Sequence, residues 1–152
     1  MLLVTAVIGL TTVLFAGSSA AGPTKPTVLV ANLTGEAEVP DPGDPNGTGG
    51  ATITFDAEAG TVCFSLDWAR IRSPFMAHIH RGAEGVAGPI RVVLFESEHP
   101  LPGTIDGVTG CARNVDADLI NRIIGNPSGF YVNVHNRPFP AGAIRGQLGT
   151  PL

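Results

Sequence analysis

Lysine is nearly absent from this 152-residue sequence, whose nine basic residues are Lys25 and eight arginines. The basic residues are scattered along the chain, and the acidic residues outnumber them, so that the formal net charge is −4. Binding to nucleic acid needs a basic patch or stripe, which this pattern does not provide. The sequence therefore predicts no nucleic-acid partner.

Several motifs that carry chemistry are also missing. The sequence contains no glycine-rich phosphate loop, no HExxH helix and no CxxC pair, and its serines lack the context of a nucleophile elbow. Glu36 and Glu38 have the spacing of paired carboxylates on a strand, but acids in such positions are more often solvated. The sequence gives little support for a hydrolase and identifies no catalytic residue.

Charge is absent from the first 21 residues, which end in small side chains. We interpret residues 1–21 as a secretory signal peptide, residues 22–27 as a linker and residues 28–152 as one domain. An uncleaved membrane anchor is the alternative, although the apolar run is shorter than the roughly 20 residues that a spanning helix needs. We expect a secreted or extracytoplasmic protein without a membrane span in its mature form.

Cysteine occurs only twice, at Cys63 and Cys111. An oxidising compartment permits a disulfide, and two cysteines allow one intramolecular pairing. Export therefore predicts a Cys63–Cys111 bond. Two buried free thiols are the alternative, because sequence spacing alone does not establish proximity.

Short strand-like runs separated by glycine and proline clusters make up most of the domain. They cover residues 28–33, 51–57, 61–69, 75–80, 89–95, 129–135 and 142–148. Residues 115–126 instead have apolar positions at helical spacing after an Asp-rich start. The pattern predicts a mainly β fold, an antiparallel β-sandwich or Greek-key barrel with one short helix.

Three of the four histidines lie in these strand-like runs. His78 and His80 leave the same face of a strand, and Tyr131, Asn133 and His135 share a face of another. If these two strands are neighbours, His78, His80 and His135 converge into a set suited to copper or zinc. A hydrogen-bonded structural cluster is the alternative. The fourth histidine, His99, lies in a polar, proline-bounded loop and is expected to be solvated.

Arg145 follows His135 by ten residues, on the next strand-like run. A hairpin through residues 136–142 would bring it back beside that histidine, where it could attract an anion. The alternatives are a surface arginine or a structural pair with an acid such as Glu36.

Four segments together resemble one known family. "NLTGEAEVP" (32–40), "GTGGATITFD" (47–56), "MAHIHRGAEGVAGPIRVVLF" (76–95) and "GFYVNVHNRPFPAGAIRGQL" (129–148) are similar to the CHRD domain. The family is named for repeats in chordin and also includes stand-alone secreted modules in bacteria. The resemblance covers roughly residues 28–148 and implies a secreted module of the latter kind.

The order of the histidines and the arginine is also similar to that in copper/zinc superoxide dismutases. By this analogy His78, His80 and His135 would be copper ligands and Arg145 an anion guide. The sequence departs from that pattern because it has no evident bridging histidine, no zinc loop rich in histidine and aspartate, and no fourth copper ligand unless His99 serves.

These observations predict a secreted CHRD-domain binding module with a copper site at His78, His80 and His135, and with an extracellular protein or a glycan as its partner. One alternative is a structural or adhesive domain without a metal. A further alternative is a copper-dependent enzyme similar to superoxide dismutase.

Overall fold

A computed structural model of the protein describes residues 25–152. The predicted signal peptide, residues 1–21, lies outside these residues. Only the end of the predicted linker is described, and its last residue, Thr27, already begins the first strand. In the part of the chain that is described, no helix combines the length and the apolar character needed to cross a membrane.

Residues 25–152 form eight strands, one α-helix and a short 3-10 helix. In chain order the elements are β1 (Thr27–Thr34), β2 (Thr48–Asp56), β3 (Thr61–Ala69), β4 (Pro74–Arg81), β5 (Ile90–Glu96), β6 (Gly107–Ala112), α1 (Ala117–Gly125), the 3-10 helix (Pro127–Gly129), β7 (Phe130–Asn136) and β8 (Ile144–Gln147). The prediction of a mainly β fold with one short helix is confirmed.

All eight strands belong to one sheet with the order β5-β4-β7-β8-β1-β2-β3-β6, and every neighbouring pair is antiparallel. The two end strands, β5 and β6, lie against each other. The sheet is therefore a nearly closed antiparallel barrel, which agrees with the predicted fold class.

The core fills the inside of this barrel. Strand β3 alternates as its sequence predicts, because four apolar side chains are buried while Ser65 and Asp67 between them are exposed. The buried four are Val62, Phe64, Leu66 and Trp68. Such burial of apolar surface is the main force that stabilises the barrel.

Strand β6 was not predicted from the sequence, since two of its six residues are glycine and none is a long apolar residue. It pairs with β3 in a register that places Cys111 opposite Cys63. The two sulfur atoms are bonded, so the predicted disulfide is confirmed.

Helix α1 begins after Asp116, whose carboxylate accepts a hydrogen bond of 2.8 Å from the Leu119 backbone N–H. This is an N-cap, which satisfies one of the free donors at the start of a helix. Leu119, Ile120 and Ile123 are buried and join the barrel core. The helical periodicity of residues 115–126 therefore predicted both the helix and its buried face.

Strand β7 is the part of the fold that positions the candidate site, because it is buried on both faces. Its partner β4 places Ile79 opposite Val132, and both residues belong to the core. The residues that alternate with these core residues along β4 and β7 point to the other face of the sheet. That outer face carries polar side chains which are buried all the same, since loops pack over it.

Candidate metal centre

The register of β4 and β7 brings three histidines together on the outer face. His78 pairs with Asn133, and His135 pairs with Met76, two residues before His78. One ring nitrogen from each of His78, His80 and His135 lies within 4.8 Å of the others, and all three side chains are buried. The convergence expected from neighbouring strands is therefore present.

Two of the rings are oriented by backbone carbonyls on the side away from the cluster. His80 donates its Nδ1–H to the carbonyl of Gly88 at 2.8 Å, and His135 donates its Nδ1–H to the carbonyl of Pro140 at 3.0 Å. In a neutral imidazole the other nitrogen then carries the lone pair. Both Nε2 atoms then carry lone pairs that face the cluster: that of His80 is buried without a hydrogen-bond partner, whereas that of His135 lies 2.9 Å from the Oδ1 atom of Asn133.

His78 has no tautomer that satisfies both of its nitrogens. Its Nδ1 lies 3.2 Å from His135 Nε2, and its Nε2 lies 3.4 Å from the carboxylate of Glu96. If Nδ1 carries the hydrogen, Nε2 presents a lone pair to a carboxylate; if Nε2 carries it, two lone pairs face each other at 3.2 Å. A cation between His78 and His135 would remove this conflict.

The spacing of the His78 and His135 nitrogens fits a shared transition-metal ion, and the three histidine nitrogens together lie within 4.8 Å of one another. Two imidazole nitrogens that bind one ion at about 2.0–2.1 Å with tetrahedral angles lie about 3.3 Å apart. The distance between His78 Nδ1 and His135 Nε2 is 3.2 Å. Glu96 would then accept the Nε2–H of His78, as second-shell carboxylates commonly do for metal-binding histidines.

Burial keeps the three imidazoles neutral at neutral pH. It lowers the pKa of His78 and of His80 below the ordinary value, and it lowers the pKa of His135 to about 4. Loss of hydration in the interior disfavours the charged form of each ring. A metal ion would therefore not have to displace protons from these nitrogens at pH 7.

Glu38 is the residue of this site that sequence reasoning missed. It was expected to be solvated on a strand, which is wrong for two reasons: β1 ends at Thr34, and the Glu38 side chain is only 4% exposed. Burial raises its pKa to about 7, although the charge of Arg145 and a hydrogen bond from Asn133 oppose this shift. Glu36 is exposed, as expected.

Asn133 connects Glu38 to the histidines. Its side chain hydrogen-bonds to the Glu38 carboxyl and lies 2.9 Å from His135 Nε2. The backbone of Gly142 closes the pocket around Glu38, because a Cβ at Gly142 would collide with the carboxylate. No signal in the sequence indicated this contact, since Glu38 reaches the site from the loop between β1 and β2.

Arg145 lies on β8, on the far side of β7 from His78 and His80. Its guanidinium sits 3.4 Å from the centre of the Tyr131 ring, whose other face stacks on His80 with ring centres 4.8 Å apart. It pairs in the sheet with Asn133, so the predicted hairpin is present but places Arg145 beside that residue and not beside His135.

The Arg145 side chain is 1% exposed, and its Nη2 atom donates to the carbonyls of Ala83 and Val86 at 2.9 and 3.0 Å. These contacts bind the loop between β4 and β5, residues 82–89, over the site. An anion-guiding role for Arg145 stays a prediction; the acid whose charge interacts with Arg145 is Glu38 rather than Glu36, although the two side chains form no direct ion pair.

His99 is exposed in the loop between β5 and β6 and does not belong to the cluster. Its predicted solvation is confirmed. Among the described residues, the only group of three or more metal-ligating side chains that lie close together is the set of three histidines.

An antiparallel barrel with a buried histidine cluster on its outer face defines a small β domain with a candidate metal centre. The model of the CHRD domain matches residues 29–148, and the chain belongs to the CHRD domain family. No curated protein and no solved structure matches the chain. The similarity to superoxide dismutases therefore has no counterpart in these comparisons.

Proposed function

We propose that this CHRD domain is a secreted binding module that holds a copper ion with His78, His80 and His135. The family and the intact disulfide support an extracellular setting, because disulfides persist in oxidising compartments. The observation that carries the metal proposal is the conflict at His78, because neither neutral tautomer of its ring satisfies both nitrogens.

Copper is the metal that this donor set favours. Imidazole nitrogens bind both copper and zinc, and among divalent first-row metals Cu²⁺ binds such sites most tightly. Three protein ligands leave a coordination position open, and bound copper would supply a redox-active centre there. The surrounding residues orient the ligands. The carbonyls of Gly88 and Pro140 fix the rings of His80 and His135, and the Glu96 carboxylate would accept the Nε2–H of His78.

The alternative is a structural cluster without a metal, in which the same histidines join β4 to β7. Element-resolved metal analysis separates the two. The protein is expressed into an oxidising compartment, offered copper and zinc, and compared with the variants His78→Ala, His80→Gln and His135→Ala. The exposed histidine provides the control variant, His99→Gln.

We expect one copper per chain in the wild type and in His99→Gln, and loss of most copper in the other three variants. Circular dichroism and the disulfide state establish that each variant is folded. Folded, disulfide-bonded wild type that takes up neither metal would refute the proposal and leave the histidines as a structural cluster. Zinc uptake without copper would refute the choice of metal but retain the site.

A further inference from the structure

A groove on the barrel surface, separate from the histidine centre, lies between the β4–β5 loop and the second half of α1. Its volume is about 650 Å³. This size falls in the range of small-molecule binding sites, about 300–1,000 Å³. We call it the arginine groove, after the three arginines that line it: Arg81, Arg91 and Arg122.

The arginine groove is basic although the protein as a whole is acidic. Its three arginines come from three elements, β4, β5 and α1, and all are exposed. No aspartate or glutamate is among the residues that line it. Within residues 25–152 the only ion pair of these arginines joins Arg122 to Asp116 at 4.0 Å between exposed side chains. Such surface pairs are weak, so all three guanidinium groups are available to an anion.

The floor of the groove is apolar. Phe130 and Leu119 lie at its base, where both are buried, and Val86 and Pro89 form its wall. Val86 is 52% exposed, which is a large fraction for an apolar side chain. A ligand that fits this surface combines several negative charges with apolar faces.

The backbone of the groove wall has few free hydrogen-bonding groups. The carbonyls of Ala83 and Val86 accept from Arg145, and the carbonyl of Gly88 accepts from His80. An extended peptide that binds by strand addition needs such groups unpaired. Recognition in this groove must therefore depend on the guanidinium side chains and the apolar floor.

We propose that the arginine groove binds an acidic glycan, a carbohydrate that carries carboxylate or sulfate groups. Each planar guanidinium can hold one such group through two parallel hydrogen bonds, while C–H faces of the sugar rings lie on the exposed side chains of Val86 and Pro89. The site requires no metal, because none of the three arginines belongs to the histidine cluster.

Isothermal titration calorimetry of the full chain tests the proposal with four probes of similar length. They are a sulfated heparin hexasaccharide, a carboxylated hexagalacturonate, neutral maltohexaose and a hexaglutamate peptide. We expect one or both acidic glycans to bind, with an affinity that falls as salt rises. Maltohexaose is not expected to bind, and hexaglutamate is expected to bind at least tenfold more weakly.

The variants Arg81→Gln, Arg91→Gln and Arg122→Gln are each expected to lower the affinity about tenfold, the loss of one charge-assisted contact. Arg113→Gln, which removes an exposed arginine outside the groove, is the matched control and should change nothing. Affinity for the acidic glycans should be the same with and without added copper, which separates this site from the histidine centre. Absence of binding by both acidic glycans, equal binding of hexaglutamate, or no effect of the three groove variants would overturn the proposal.

Discussion

At the scale of single residues, Glu38 is in the least expected environment. Its carboxyl lies next to Arg145 and Asn133, yet its Oε1 atom has no hydrogen-bond partner. Burial therefore outweighs the attraction of the arginine, and the pKa rises from 4.5 to about 7. A raised pKa in the folded state means that the protonated carboxyl stabilises the fold and that its ionisation costs free energy.

The variant Glu38→Gln should change how stability depends on pH. Between pH 4.5 and 7 the folded wild type binds more protons at Glu38 than the unfolded chain does, so this group's contribution is lost as pH rises through that window. Glutamine imitates the protonated acid and has no such loss. The free energy of unfolding of the variant, relative to wild type, should rise by about 2.5 kcal/mol from pH 5 to pH 8.

Urea unfolding at the two pH values measures this difference. Glu36→Gln is the control, because Glu36 is exposed and two residues away. A stability difference between Glu38→Gln and wild type that stays constant with pH would contradict the assignment of a raised pKa to Glu38.

The sequence predicted the histidines of the site better than the groups that surround them. Alternation along a strand is a local property, so His78 and His80 could be placed on one face of their strand, and Asn133 and His135 on one face of theirs. Glu38 reaches the site from a loop, and a loop residue's destination depends on contacts distant in sequence. Its burial had no local signal.

At the scale of elements, the β4–β5 loop is held by side chains from neighbouring strands, and Arg145 makes two of these hydrogen bonds. Arg145 donates to the carbonyls of Ala83 and Val86, and the backbone N–H of Gly88 donates to the hydroxyl of Tyr131. The same loop supplies the carbonyl that orients His80. Its position is therefore set by β7 and β8, which lie beneath it.

Arg145→Lys should release this loop. An ammonium group retains the charge but cannot reproduce the planar fork that lies on Tyr131 and reaches two carbonyls. We expect faster amide hydrogen exchange in residues 82–89 and a loss of about 2–4 kcal/mol in the free energy of unfolding.

Mass spectrometry of exchanged peptides gives the local rates, and Arg113→Lys at an exposed position is the comparison. Unchanged exchange in residues 82–89 would show that Arg145 does not hold the loop.

The strand that the sequence did not reveal is β6. Its composition, GVTGCA, has neither clear alternation nor enough apolar residues for a local prediction. It is a strand because β3 offers a partner edge and because Cys111 is bonded to Cys63. The predicted disulfide was the one indication that residues near Cys111 lie beside β3.

At the scale of the whole molecule, the disulfide links two positions that are 48 residues apart. Closing a loop of that length restricts the unfolded chain and is worth up to about 4 kcal/mol by chain entropy. The double variant Cys63→Ala/Cys111→Ala should therefore unfold with a free energy about 2–4 kcal/mol lower than wild type.

Urea unfolding measures this loss, and reduced wild type should behave like the double variant. If the free energies of oxidised wild type and the double variant agree within about 0.5 kcal/mol, the disulfide does not stabilise the fold.

The fold class was predictable because seven short strand-like segments with glycine and proline between them leave few arrangements other than an antiparallel barrel or sandwich. The strand order was not predictable, because β8 pairs with β1, and β3 pairs with β6, across long stretches of chain. Those pairings are decided by how the whole core closes.

The barrel has a seam where β5 and β6 touch without forming a ladder. On the β6 side of this seam, the disulfide links β6 to β3. On the β5 side, the histidine cluster links β4, which is paired with β5, to β7. A contact between side chains thus strengthens the strand pairing on each side of the seam. A molecule that lost both would present two open strand edges, and such edges invite pairing with other chains. The disulfide therefore protects the protein against such pairing by holding β6 at the edge of β3.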